Sequence, residues 1–405
     1  MAQRRLLTNG NAFKRSDGRW GGVVWYMDEY QQRKRKSFSG NTKQDVVRKM
    51  TGFIAEFNEQ LLLADESRRP LRESMQDWLR VFKFPSVERT TYDRLECTAK
   101  HQIYPVLGDM PVGDIKAADV KTLLNHCMNE GYAYTTVKKV YHILTDYFRY
   151  MTQQEYIPKN PMDAAPMIKK ANFLAAQEKE NLPINETVTV FAAEEIEKFK
   201  AECFREWSNG ERIYQQAAAY LLMLNTGLRT GEALGLLNSD IDLENRVLHV
   251  QRGVKEVSRR DGAEFTSGRE VKIGKLKSAS SKRDLPLNQA AVDAILDLRR
   301  ERYFCEDTPL IADEHGDYTR PVNFRRRYYR ILDAAGIGQK GLHSLRHTFA
   351  THLVNGVKQP DGTIKSLTPR QVADLLGHST SEITEMYYVK KDTARLAGTT
   401  DEFEL

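Results

Sequence analysis

The stretch HSLRHTFATHL, His343 to Leu353, sets two histidines and an arginine within five positions of a chain that holds nine histidines in 405 residues. Leu345, Phe349 and Leu353 recur at i, i+4 and i+8, which predicts an amphipathic helix with one buried stripe. On that helix His343, Arg346 and His347 fall at i, i+3 and i+4 and share a second face. A zinc hydrolase would need His-Glu-x-x-His with the glutamate as base, and Ser344 stands where the glutamate should be. Two readings remain: a solvated polar face, or a cationic grip on an anion. The rest of the chain decides between them.

A length of 405 residues predicts two or three domains. Hydrophobic residues make up 40% and charged residues 29%, enough apolar material for packed cores. The opening MAQRRLLTNG lacks an apolar run of signal-peptide length, and the longest apolar run, AAAYLLML, is too short to span a membrane. Cys97, Cys127, Cys203 and Cys305 are scattered, forming neither a disulfide framework nor a Cys-x-x-Cys site, which fits a reducing cytoplasm. Residues 1–60 carry 12 Lys and Arg against 6 Asp and Glu, so the whole net charge of +6 sits in this first segment. Such asymmetry points to a polyanion-binding arm.

The chain divides into three segments. In 1–65, Trp20 to Tyr26 and Lys34 to Phe38 read as strands, followed from Asn41 or Thr42 by a helix with Val46, Val47, Met50, Phe53, Ile54 and Phe57 on its buried side. A small three-stranded sheet backed by one helix is expected. Arg33, Lys34, Arg35 and Lys36, interleaved with Trp25, Tyr30 and Phe38, suit a strand laid into a DNA groove. Residues 61–70, LLLADESRRP, read as a helix end and linker. Residues 71–165 read as an all-helical bundle, in which Thr91, Tyr92, Arg94, Lys100, Lys138 and Lys139 offer hydroxyl and basic groups to phosphates. Proline-broken 166–184 is expected as a second linker. From 185 the pattern becomes mixed α+β: two helices, strands RVLHVQRGVKEV and REVKIGKLKSASSKRDLPLN joined by a charged loop, then mainly helices to Tyr387, with a tail over 389–405.

In the third segment NTGLRTGEALGL places Arg229 after a glycine turn and Glu232 one helical turn on, HSLRHT follows, and LLGHSTSEITEMYY sets His378 nine residues before Tyr387. Each piece alone has a dull explanation: a helical ion pair, a polar face, an aromatic in a core. Together, in this order, they resemble the tyrosine recombinase family, the phage-integrase class, and above all integrases of temperate phages and conjugative transposons. The resemblance covers most of the chain. It is specific for Arg229 with Glu232, His343-x-x-Arg346 and Leu-Gly-His378 with its tyrosine, and softer for the first two segments, which resemble the family's arm-binding and core-binding domains.

The resemblance implies a site-specific DNA recombinase that integrates and excises a mobile element, without metal, ATP or cofactor, as a homotetramer on DNA in the bacterial cytoplasm at the nucleoid. An accessory DNA-bending or directionality protein is an expected partner, and a membrane is not. Arg229 and Arg346 would clamp the phosphate, because planar guanidiniums hold two oxygens and stay charged. His343 would move the proton, His378 would donate to the phosphate, and Glu232 would orient the clamp. Tyr387 would be the nucleophile, with Tyr388 beside it, and His347 receives no role. The leaving-group acid would be a hairpin lysine before the Leu-Pro of KLKSASSKRDLPL. Counting back from Pro286 selects Lys277, with Lys275 as runner-up, and SRRDGAEFTSGRE reads as an insertion in that hairpin. Alternatives are a type IB-like topoisomerase, a catalytically dead DNA-binding regulator and a nucleolytic metalloenzyme.

Overall fold

The computed structural model describes residues 5–28, 32–179, 189–275, 281–358 and 363–378. The chain separates into two compact units, Met1–Asn185 and Glu186–Leu405.

The first unit opens with an antiparallel sheet of β1 (Arg5–Leu6), β2 (Asn11–Lys14), β3 (Trp20–Met27) and β4 (Arg33–Gly40), in which β3 pairs with the other three. Four strands replace the expected three. The two that the sequence hid are short edges: NAFK lacks β-branched residues, and Arg5–Leu6 is too brief to alternate. Helix α1 (Lys43–Arg68) starts at Thr42, whose hydroxyl caps the Asp45 N–H at 3.1 Å. It lays Val46, Met50 and Phe57 on Val24 and the sheet, whereas Val47, expected inside, is exposed. The helix ends at Arg68, inside the 61–70 stretch expected as helix end and linker, and leaves only Arg69 and Pro70 before the next helix.

A helical bundle follows: α2 (Leu71–Trp78), α3 (Arg89–Thr98), α4 (Tyr104–Leu107), α5 (Ala117–Asn129), α6 (Tyr134–Gln153) and α7 (Lys170–Lys179). Wide π-helical turns at Leu79–Lys83 and Ala99–Ile103 extend α2 and α3. The core joins Leu71, Met75, Val140, Leu144, Tyr147 and Phe148, all fully buried. The stretch expected as a second linker carries α7, whose Phe173 is fully buried with its ring 5.3 Å from that of Tyr134. The only large apolar residues in KKANFLAAQEK, Phe173 and Leu174, are adjacent, so no helical period announces that docking.

The second unit packs α8 (Ala193–Cys203), α9 (Ala218–Thr226) and α10 (Thr230–Leu234) with β5 (Ile241–Asp242), β6 (Val247–Val250), β7 (Arg252–Asp261), β8 (Glu264–Lys275) and β9 (Arg283–Pro286). Then come α11 (Gln289–Glu301), α12 (Pro321–Ala334), α13 (His343–Asn355), the short pair β10 (Val357–Lys358) and β11 (Ile364–Lys365), and α14 (Pro369–Leu376). Among the described residues the strands of this unit form three antiparallel groups: β5-β6-β9, a long hairpin of β7 with β8, and the pair β10-β11. The expected charged loop and insertion are the far end of this hairpin, closed over Gly262 at φ +56°. Glycines seat α10 on β7: a Cβ at Gly231 would meet the Val254 carbonyl oxygen at 2.7 Å, and one at Gly235 the Arg252 oxygen at 3.0 Å. That contact explains the spacing in TGEALG and fixes where Arg229 and Glu232 stand.

Candidate active site

Three chain turns converge. Helix α9 ends at Gly227, whose φ of +66° and lack of a side chain are both required, since a Cβ would lie 2.5 Å from the Phe349 ring. Two residues later Arg229 precedes α10. Glu232 accepts the Arg229 backbone N–H at 2.9 Å through Oε2 and its Nη1 at 2.7 Å through Oε1. Helix α14 closes in the same way over Gly377, at φ +66°: the Gly377 N–H donates to Asp374 O and the His378 N–H to Ala373 O. This is a Schellman turn, and it sets His378 in the first position beyond it.

Arg346, on α13, ties these ends together. Only 1% exposed, it donates from Nη1 to the Gly227 carbonyl at 2.8 Å and from Nη2 to the Leu376 carbonyl at 2.8 Å. Its Nη2 also lies 2.9 Å from His378 Nε2. A guanidinium has only donors, so Nε2 is the acceptor and Nδ1 carries the ring proton. Of the two readings left open for this face of α13, the solvated polar surface does not hold at Arg346, which is a buried clamp. One turn away, His343 and His347 stack edge to face at 4.6 Å between ring centroids.

Electrostatics follow from the crowding. Burial lowers the His343 imidazole to about 4, helped by the charges of Arg346 and Arg229. Burial likewise lowers His378 to about 4, with Arg346, Arg229 and Arg283 adding to it. Both rings are therefore neutral at pH 7. Burial alone would raise Glu232, but the Arg283 and Arg229 guanidiniums outweigh it and hold the carboxyl below its ordinary value. Arg229 keeps 37% side-chain exposure where Glu232 keeps 4%, so it is the guanidinium most open to an incoming anion.

The structure thus brings together Arg229, Glu232, His343, Arg346 and His378. Lys277, Tyr387 and Tyr388 lie outside the described residues, and Lys275 ends β8. Arg283 was missed. On β9 it shares the inward phase of Leu285 and Leu287, and a charge at an inward strand position is the signal that would have found it. Among the described residues no cluster of His, Cys, Asp and Glu could hold a metal, and no helix is long and apolar enough to cross a membrane.

The candidate DNA contacts are sorted by register. Directly paired residues share a sheet face. Arg33 and Arg35 pair with Met27 and Trp25 on the open face, where the Arg33 guanidinium lies 4.3 Å from the Trp25 ring. Lys34 and Lys36 pair with Tyr26 and Val24 on the helix side, where Phe38 packs on Phe53. Tyr30 lies outside the described residues. In the bundle Arg94, Lys100, Lys138 and Lys139 are exposed, whereas Tyr92 is in the core.

Cationic groups anchored by one buried carboxylate, beside two neutral imidazoles, define a site for an anion and for proton transfer. A model of the phage integrase family matches residues 189–395, and a model of the phage integrase central domain matches residues 71–166. The chain belongs to the phage integrase family, the tyrosine recombinases. It is similar to a XerC-like tyrosine recombinase of Caldanaerobacter subterraneus subsp. tengcongensis, 28% identical over 87% of each chain. It is also similar to the transposase from transposon Tn916 of Enterococcus faecalis, 25% identical over 70% of this chain and 65% of that one. The fold matches the Tn1549 transposon integrase in complex with a circular intermediate DNA, with a TM-score of 0.62 and 20% identity over 83% of this chain and 99% of that one. A lambda integrase dimer bound to a COC' core site gives a TM-score of 0.57 and 18% identity over 94% of both chains.

Two outcomes are expected. Arg346→Met orphans two buried carbonyls and lowers the unfolding free energy by about 2–4 kcal/mol in urea titration. Arg229→Met, more exposed and leaving Glu232 paired with Arg283, costs less than about 1 kcal/mol. The depressed histidines set a pH slope. Unfolded imidazoles, near 6.5, take up protons before the folded ones do, so stability is full above about 6.5 and declines as pH falls toward 4. The urea midpoint of a His343→Gln/His378→Gln variant should therefore vary less than the parent's between about pH 7 and 4.5.

Proposed function

We propose that the chain is a site-specific DNA recombinase that integrates and excises a mobile element through a covalent phosphotyrosine. The observation that carries this reading is the convergence of Arg229, His343, Arg346 and His378, from sequence-distant turns, around one open cationic point. In this reading Arg229 and Arg346 meet the non-bridging oxygens, where charge develops during attack. His378 donates to the same phosphate through a neutral ring. Glu232 holds Arg229 in place and His343 moves the proton.

Tyr387 Oη bonds to phosphorus and gives up its proton, since a phenol with a pKa of about 10 is a poor nucleophile until that proton is withdrawn. The P–O5′ bond breaks, Lys277 protonates the departing oxygen, and a 3′-phosphotyrosine and a 5′-hydroxyl result. A 5′-hydroxyl from a second duplex reverses the step, so the bond energy is conserved and neither ATP nor a metal is consumed. Successive exchange of the two strand pairs passes through a four-way junction, which calls for a homotetramer on DNA. The lambda integrase tetramer bound to a Holliday junction, alike in fold at TM-score 0.57, supports that assembly. Residues 1–65 form the arm-type DNA-binding domain, with the open sheet face carrying Arg33 and Arg35. Residues 71–165 form the core-binding domain, 166–184 a connection, and 185–405 the catalytic domain with its tail from 389. An accessory DNA-bending or directionality protein would bias integration against excision.

A nicked suicide duplex from the ends of the chain's own element tests the chemistry. A covalent adduct should form in excess chelator, and Tyr387→Phe should reduce it by more than about a thousandfold. An undiminished adduct from Tyr387→Phe would contradict the nucleophile. Strand exchange between paired sites, rather than relaxation alone, separates a recombinase from a topoisomerase.

A further inference from the structure

Arg283 is a guanidinium with 7% side-chain exposure on a strand whose other inward residue, Leu285, is apolar, as is Leu287 just beyond it. Burying a charge there is costly unless it is fully engaged, and its contacts reach three places. Nη2 donates to Glu232 Oε2 at 2.9 Å, Nε to the Leu375 carbonyl at 2.7 Å, and Nη1 to the Ser281 carbonyl at 3.0 Å. Leu375 lies in the last turn of α14, next to Leu376, whose carbonyl Arg346 holds. Arg283 and Arg346 therefore grip neighbouring carbonyls at one helix end. Each also holds the Arg229 turn from the other side, Arg283 through Glu232 and Arg346 through Gly227.

The consequence concerns Arg229. A carboxylate with both oxygens available takes a guanidinium bidentately. Here Oε2 is occupied by Arg283 and by the Arg229 backbone N–H, so the Arg229 side chain meets Glu232 through Oε1. We propose that Arg283 is a positioning residue of the strand-cleavage reaction: it fixes Glu232 so that Arg229 is held by one edge and turned toward the phosphate, and it locks the α14 end that carries His378. This rests on the recombinase reading above. Arg283 does not touch the DNA in this role. It acts through Glu232 and Leu375.

The test uses the full chain, with adduct formation on the nicked core-site duplex measured beside binding to the same duplex. Arg283→Met should slow adduct formation about 10- to 100-fold, the scale of an ångström's misplacement, while binding changes less than about threefold. Because the effect runs through Glu232, combining Arg283→Met with Glu232→Gln should cost no more than the worse single change. Should Arg283→Met fail to fold, Arg283→Lys keeps the charge but not the fork, and it should show the same excess of cleavage loss over binding loss and the same non-additivity. Additive losses, parallel losses of binding and cleavage, or unchanged cleavage would overturn the positioning role. An unaltered chain that formed no adduct would overturn the recombinase reading as well, which separates the two failures.

Discussion

The site depends on one buried guanidinium. Arg346 is the largest fully buried side chain among the described residues, and its donors go to the carbonyls of Gly227 and Leu376 and toward His378. Those carbonyls end two helices whose own hydrogen-bond ladders leave them without partners. Satisfying both from a third helix brings together turns separated by some 150 positions of chain. The helix ends supply acceptors, the arginine supplies the matching donors, and the functional groups are carried on the residues that follow each turn.

Left-handed glycines make this possible. Gly227 and Gly377 both adopt φ +66°, so each helix stops sharply and the chain leaves in a defined direction, one toward Arg229 and the other directly into His378. Glu232 then does for the cations what Arg346 does for the backbone, joining Arg229 and Arg283 through its two oxygens. The cluster keeps an excess of positive charge, as an anion site needs, and with burial it depresses both histidines, leaving their rings neutral at pH 7.

Residues that repeat a chemical requirement at short range were legible in the sequence. Arg229 with Glu232, His343 with Arg346, and Leu-Gly-His378 are local patterns; each alone had a dull explanation, and it was their joint order that carried the resemblance to the family. What stayed hidden was set by tertiary contact. The burial of Arg346 could not be read from a helical face that looked polar. The face assignment of Arg33 to Lys36 follows from pairing register with β3, which alternation along one edge strand does not specify. Strands β1 and β2 were too short to carry a period, and α7 docks through the adjacent Phe173 and Leu174, which have no helical period. Arg283 alone was readable in principle, as a charge in phase with Leu285 and Leu287.

The most direct measurement is a structure of the full chain on core-site DNA with vanadate at the cleaved position. Arg229, Arg346 and His378 should donate to the equatorial vanadate oxygens at about 3 Å, with the Tyr387 oxygen at one apex. A vanadium centre ringed by other groups, with Arg346 making no contact to its oxygens, would contradict the shared phosphate site.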